Sequence, residues 1–177
     1  RAITERSKVN PIAFDTLLKL VGDKPKQADS LLAGIERAVI GINGFSKPEK
    51  WDEVSSKLRD NPNALKLSTL FGDEQAIWQM EKLVVDINVD IKSRRQAMEI
   101  LIGSNSRNLR KLSETLLSDP NMKLWGARGL AKFEAEEIGK LLVEKLPEFK
   151  VVDQDKLVEI ICGRSNWANS LLEKIKK

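Results

Sequence analysis

The feature that most constrains this chain is a spacing. Leu67, Ala97, Ala127 and Leu157 stand 30 residues apart, and Leu70, Ile100, Leu130 and Ile160 repeat the interval three residues later. A second series keeps step: Leu109, Leu112 and Leu117 recur as Ile138, Leu141 and Leu146 after 29 residues, and Ile77, Met80 and Val85 precede them by 32. Apolar positions three and four apart, punctuated by turn signals, mark helices. Residues 61–86, 90–119, 120–149 and 153–175 therefore read as four helix–turn–helix units. A unit this small cannot bury its own apolar face, so neighbours must stack to share a core. Ala97 and Ala127, flanked by longer Leu and Ile, would let adjacent first helices approach closely.

No segment alternates with period two for long enough to predict a strand. The expected fold is all-α: an α-solenoid of about eleven helices in a right-handed superhelix. Residues 61–177 supply four repeats and residues 1–60 an N-terminal helical cap, in which 11–44 and 48–59 are less regular and one long helix runs over 27–42. Both parts share one composition, so they read as one continuous domain, and Asn43-Gly44-Phe45-Ser46-Lys47-Pro48 as a loop within it. A non-repetitive bundle with coincidental spacing competes, but both helices of the unit keep the period. Tetratricopeptide repeats run to about 34 residues with a fixed Tyr, and this chain has no Tyr. Shortened HEAT-like units suit helices of this length better.

Local signals agree. Asn10-Pro11, Asn61-Pro62 and Asp119-Pro120 each place a capping side chain before a proline that tolerates the first helical turn. Ser46 and Glu49 have capping-box spacing. Phe71-Gly72-Asp73, Ile102-Gly103-Ser104 and Cys162-Gly163-Arg164-Ser165 each predict a glycine C-cap followed by the cap of the next helix.

Composition removes whole classes of chemistry. The chain has no His and one Cys, so its residues provide no His-based acid–base pair, Cys/His zinc site or haem-attachment motif. The apolar runs fall far short of the roughly 20 residues needed to span a bilayer, so no membrane insertion is expected. The chain opens Arg1-Ala2-Ile3 and reads as a fragment or processed product.

The remaining candidates have structural readings. Glu134, Glu136 and Glu137 fit the first turn of a helix, where its dipole favours carboxylates. Asp86 and Asp90 look like caps, and Ser104-Asn105-Ser106 is turn material without an activating base. Cys162, after Ile160-Ile161, reads as a buried structural thiol, and Trp51, Trp78, Trp125 and Trp167 as core or inter-repeat wedges. Arg94, Arg95, Arg107, Arg110 and Lys111 could track phosphates, but a groove should repeat its charge from unit to unit. Moving Arg110 and Lys111 forward by 29 residues gives Gly139 and Lys140, then Asn169 and Ser170 after 30 more, with Glu114, Glu137 and Glu144 interrupting. At net +4, nucleic acid is the least favoured partner.

Several stretches resemble one family. Asn61-Pro62-Asn63-Ala64-Leu65 through Leu70-Phe71-Gly72-Asp73 is similar to the HEAT-like segment of large exported bacterial proteins. Those proteins join a sorbosone-dehydrogenase-like β-propeller to HEAT-like repeats and a c-type cytochrome. The likeness continues through 124–133, where the family has an Ala/Arg/Leu-rich helix. It is most specific at Arg164-Ser165-Asn166-Trp167-Ala168-Asn169-Ser170-Leu171-Leu172, which resembles the family's R-P-x-W-A-x-x-L-L segment with Ser165 in place of proline. It extends over roughly 28–175. The resemblance implies a periplasmic or otherwise exported spacer that orients redox domains; no haem or quinone chemistry passes to any residue here.

The expected function is thus a non-catalytic scaffold with no cofactor and no metal, not itself an enzyme, whose partners are protein. Its contact surface is assigned to exposed second-helix positions: Gln79, Lys82, Arg110, Glu114, Glu137 and Lys140. A free-standing protein- or peptide-binding adaptor and a nucleic-acid-binding HEAT-like protein are the alternatives.

Overall fold

The computed structural model describes residues 16–21, 25–39, 47–58, 60–104 and 106–176. Among them lie ten named α-helices and no strand: α1 (Pro25–Val39), α2 (Trp51–Ser56), α3 (Pro62–Leu70), α4 (Glu74–Val85), α5 (Ile91–Gly103), α6 (Leu109–Leu116), α7 (Lys123–Leu130), α8 (Glu136–Lys145), α9 (Val151–Cys162) and α10 (Ser165–Ile175). A 3-10 turn, Leu146–Glu148, extends α8, and residues 16–21 are helical as well. The all-α expectation holds for the described residues. Asn10-Pro11, the Ser46 end of the capping box, and 43–46 of the expected loop lie outside them.

The helix starts follow local chemistry. Asn61 Oδ1 accepts from the backbone N–H groups of Asn63 and Ala64 at 2.9 and 3.2 Å. Asp73 accepts from Ala76 at 2.8 Å and Asp90 from Ser93 at 2.9 Å. Each cap satisfies a backbone donor that the helix leaves unpaired and stabilises by about 1 kcal/mol. Asp119 acts earlier than expected: it organises the turn before α7, accepting from Asn121 N–H at 2.8 Å, and its carbonyl accepts from Lys123 N–H at 2.8 Å.

Helix ends are more varied than the glycines predicted. Gly72, at φ 83°, carries the left-handed turn between α3 and α4. Its N–H donates to Thr69 O and the next N–H to Ser68 O, the two bonds of a Schellman motif. Gly103 is instead the last residue of α5, and Gly163 stays right-handed at φ −64°. Ser165 begins α10 rather than capping it.

Packing gives the 30-residue interval a physical basis. Leu67, Ala97, Ala127 and Leu157 are all at most 4% exposed, and the first helices α3, α5, α7 and α9 contact one another in series. The most extensive contacts run from a second helix to the next first helix, α4 on α5 and α6 on α7, while α8 packs chiefly on α10. Glycines allow two of these approaches. A Cβ on Gly126 would lie 2.6 Å from Ser113 O, and one on Gly129 would lie 2.6 Å from Met98 Cε. In the second series Val85 is 45% exposed, and Val84 is buried in its place. Val84 leads to Leu116 by the same 32-residue step, and Leu116 is also buried.

Three apolar clusters follow along the chain. One joins Leu18, Val21, α1, α2 and α3, a second joins α4, α5 and α6, and a third runs from Leu117 through α10. Leu65 reaches from α3 into the second, and Phe133 packs against both the second and the third. Trp51 and Trp167 are core residues, as expected, and each indole N–H is satisfied: Trp51 by Ser68 Oγ at 2.9 Å, Trp167 by Ala135 O at 3.1 Å.

Arg94 is the one buried cation among the described residues. It lies on α5, and its Nε donates to Val84 O at 2.8 Å while Nη2 donates to Asp119 Oδ2 at 2.6 Å. Burial works against ionisation of Asp119, but the Asn121 N–H, the Arg94 guanidinium and the Met122 N–H outweigh it, and its pKa is lowered. The pair fixes the α4–α5 hairpin to the turn before α7. Arg95 likewise donates to Asn121 O. These two arginines, weighed in the sequence as phosphate contacts, are engaged between helices.

Candidate functional site

The six candidate contact residues all lie on the exposed sides of second helices: Gln79 and Lys82 on α4, Arg110 and Glu114 on α6, Glu137 and Lys140 on α8. They form two groups. Arg110 is the hub of one, with Nε donating to Glu114 Oε1 at 3.1 Å and Nη2 to Glu137 Oε1 at 3.1 Å. This fork bridges α6 to α8. Hydrogen bonds to Glu114 and then Glu137 raise the Arg110 pKa. A backbone N–H and then Arg110 lower that of Glu137. Lys140 pairs separately with Glu136 at 2.7 Å, and its pKa is raised by that hydrogen bond. Both cations here are thus matched by glutamates, and the face is mixed in sign.

The second group lies on α4. Trp78, expected in the core, is 53% exposed, and Lys82 Nζ stands 3.6 Å from its ring centroid. The correction has a simple cause. Ile77, Met80 and Val84 occupy the inward stripe of α4, and position 78 lies beside that stripe rather than in it. The cation covers part of the indole that packing leaves open. Gln79 does not join Lys82 in a bonded pair. It lines a groove of about 430 Å³ with Gln75, Ser55, Ser56, Ser68 and Asp73 over a floor of Leu58, Ala64 and Leu65.

The remaining candidates stay structural. Glu136 and Glu137 occupy the first turn of α8, while Glu134 precedes the helix and faces Arg164 at 3.5 Å. Asp86 closes its own turn by accepting from Asn88 N–H at 2.9 Å. Ser104 donates to Leu101 O, and Ser106 donates to Glu81 Oε1 at 2.6 Å, which ties the turn before α6 to α4; Asn105 lies outside the described residues. Cys162 is exposed, against the expectation of a buried thiol. It is the last residue of α9, and Leu157 and Ile161 take the inward positions there. No group of three or more His, Cys, Asp or Glu among the described residues could hold a metal ion. No helix of the described residues is long and apolar enough to cross a membrane.

The arrangement can present charge and hydrogen-bonding groups on a firm support. Its open surface carries paired ions, one stacked Trp–Lys and a groove rich in hydroxyls and amides. Compared with protein-family models, curated proteins and solved structures, the chain finds no match.

Proposed function

We propose that this chain is a non-catalytic scaffold, a short α-solenoid of HEAT-like units whose second-helix face contacts protein. The observation that carries the reading is a division of labour between the two helices of each hairpin. The 30-residue series Leu67, Ala97, Ala127 and Leu157 is buried, whereas Lys82, Arg110, Glu114, Glu137 and Lys140 on the partner helices are exposed. A stack that spends its apolar residues internally and offers a broad polar face suits the spacing and orienting of other domains. The resemblance to exported propeller–cytochrome proteins supports placing it as an interdomain spacer of a larger redox protein in the periplasm.

Photo-crosslinkers installed at Lys82, Arg110 and Lys140 test the face, with Lys156 on α9 as the comparison position. Adducts with another domain or protein from the first three positions support it, and adducts confined to Lys156 overturn it. The intact mass and visible absorbance of the natural polypeptide test the parent: a much larger chain with covalent haem is expected. The groove beside Gln79 favours a second reading, a free-standing adaptor that binds a peptide. A haem-free polypeptide no larger than this chain selects it.

A further inference from the structure

The groove beside Gln79 runs on past the end of α2. A second cleft, of about 610 Å³, shares Ser56 and Leu58 with it and continues by Asp60 and Asn61 to Asp29 on α1. Carboxylates line the whole run, with Asp73 at the α4 side and Asp60 and Asp29 at the far side. Asp73 Oδ1 accepts from Ala76 N–H at 2.8 Å and Asp29 Oδ1 from Asn61 Nδ2 at 2.6 Å, both uncharged donors. Among the described residues none of the three carboxylates is in an ion pair, and Asp60 has no bonded partner at all. The one described cation in these walls, Lys57, pairs with Glu53 at 2.9 Å. On a chain of net charge +4 this is a local reversal of sign.

The rest of the wall matches a peptide backbone. Gln75 and Gln79 lie one turn apart on α4, and neither carboxamide has a hydrogen-bond partner among the described residues. Positions four apart on a helix are separated by about 6 Å along its axis. Two residues of an extended chain span about 6.6 Å, so the carboxamides are spaced for alternate peptide units. Each offers a donor and an acceptor, as a peptide unit does. Alternate side chains of an extended segment point the same way, and Leu58, Ala64 and Leu65 give them an apolar floor.

We propose that the joined clefts bind an extended peptide segment in which basic residues alternate with apolar ones, the basic side chains reaching Asp29, Asp60 and Asp73. The inference rests on the peptide-adaptor reading of the groove and adds the class of peptide. Charge complementarity selects the sign of the occupant, and the carboxamide pair selects a peptide over a free polyamine.

The test titrates the full chain with a labelled peptide of about ten residues alternating Lys and Val, and with a counterpart carrying Ser in place of Lys. Fluorescence anisotropy gives the affinity. The Trp51 indole N–H resonance reports the place, because that group donates to Ser68 Oγ on the groove wall. Asp29→Asn, Asp60→Asn and Asp73→Asn are combined in one variant; each keeps an acceptor oxygen, and Asn caps a helix about as well as Asp. The Lys–Val peptide is expected to bind, to move the Trp51 resonance, and to bind the triple variant about tenfold more weakly. The Ser–Val peptide should bind the wild type more weakly by a similar factor. Equal binding of both peptides with the Trp51 shift overturns the basic class and leaves the peptide reading standing. Lys–Val binding that leaves Trp51 unmoved, or that is unchanged by the three substitutions, overturns the placement. Binding of neither peptide overturns both. The comparison of the two peptides uses the wild type alone, so it decides even where the variant does not fold.

Discussion

The α6–α8 and α8–α10 junctions use equivalent positions and reach opposite solutions. Between α8 and α10 the backbones approach closely, with Gly139 beneath the fully buried Trp167. Between α6 and α8 they hardly approach, and the span is bridged by the Arg110 fork, whose side chain is 44% exposed against 66% for Glu137. Removing one Cβ lets a large ring replace water; placing a long cation at the same register keeps the junction wet. The difference teaches that in this molecule a repeat interval fixes which residues face each other, while their size and charge set the distance.

Breaking the dry junction should give the largest effect. Trp167→Ala removes the ring and leaves a cavity, with an expected loss of about 3–5 kcal/mol in urea unfolding. A loss under about 1 kcal/mol would mean that α10 contributes little to the folded core.

Next comes the buried pair that joins α5 to the turn before α7. Asp119→Ala leaves Arg94 charged and buried without its carboxylate, and should cost about 3 kcal/mol. The pH dependence has a definite sign. The folded-state pKa of Asp119 is lowered, so its contribution is complete above the ordinary aspartate range and is lost as pH falls through the folded value. Stability curves of the wild type and Asp119→Ala should therefore converge below about pH 3.8. Parallel curves down to pH 2 would remove Asp119 as the source.

Gly139→Ala sharpens the comparison. Alanine gains about 1 kcal/mol of helix propensity, but its Cβ meets the Trp167 ring, and overpacking costs about 1–3 kcal/mol. Net destabilisation is expected, reversed in the Trp167→Leu background. Stabilisation in the wild type would show that α10 yields easily.

The wet junction should respond least. Arg110→Ala and Glu137→Ala are expected to show a small favourable coupling in a double-mutant cycle at low salt. That coupling should shrink in 1 M salt. Ser113→Ala tests a related contact between α6 and α7. Its buried Oγ has no hydrogen-bond partner, so the substitution should be neutral or slightly stabilising, whereas a loss above 1 kcal/mol would reveal a bonded water.

Much of this was legible residue by residue. Asn61, Asp73 and Asp90 cap as their spacing says, because a cap is a contact between residues two or three apart. All four candidate second-helix cations and glutamates near α6 and α8 are exposed, as expected from their place opposite the apolar stripe. Trp78 and Cys162 were misread for a common reason. Each adjoins an apolar run, and the run shows that a helix has an inward stripe without fixing how wide a stripe its neighbour covers. Arg94 was misread because its partners, Val84 O and Asp119, are 10 and 25 residues away.

The sequence by itself determined the helices, the starts of α3, α4 and α5 and the interval at which buried positions recur, since these depend on backbone chemistry within a turn or two and on a period of 3.6. Only the tertiary structure decided which faces close. Gly126, Gly129 and Gly139 are unremarkable in a string of letters, yet each lies where another helix occupies the space of a Cβ. Close packing is a property of two surfaces in contact, and neither surface carries its partner's shape in its own local sequence.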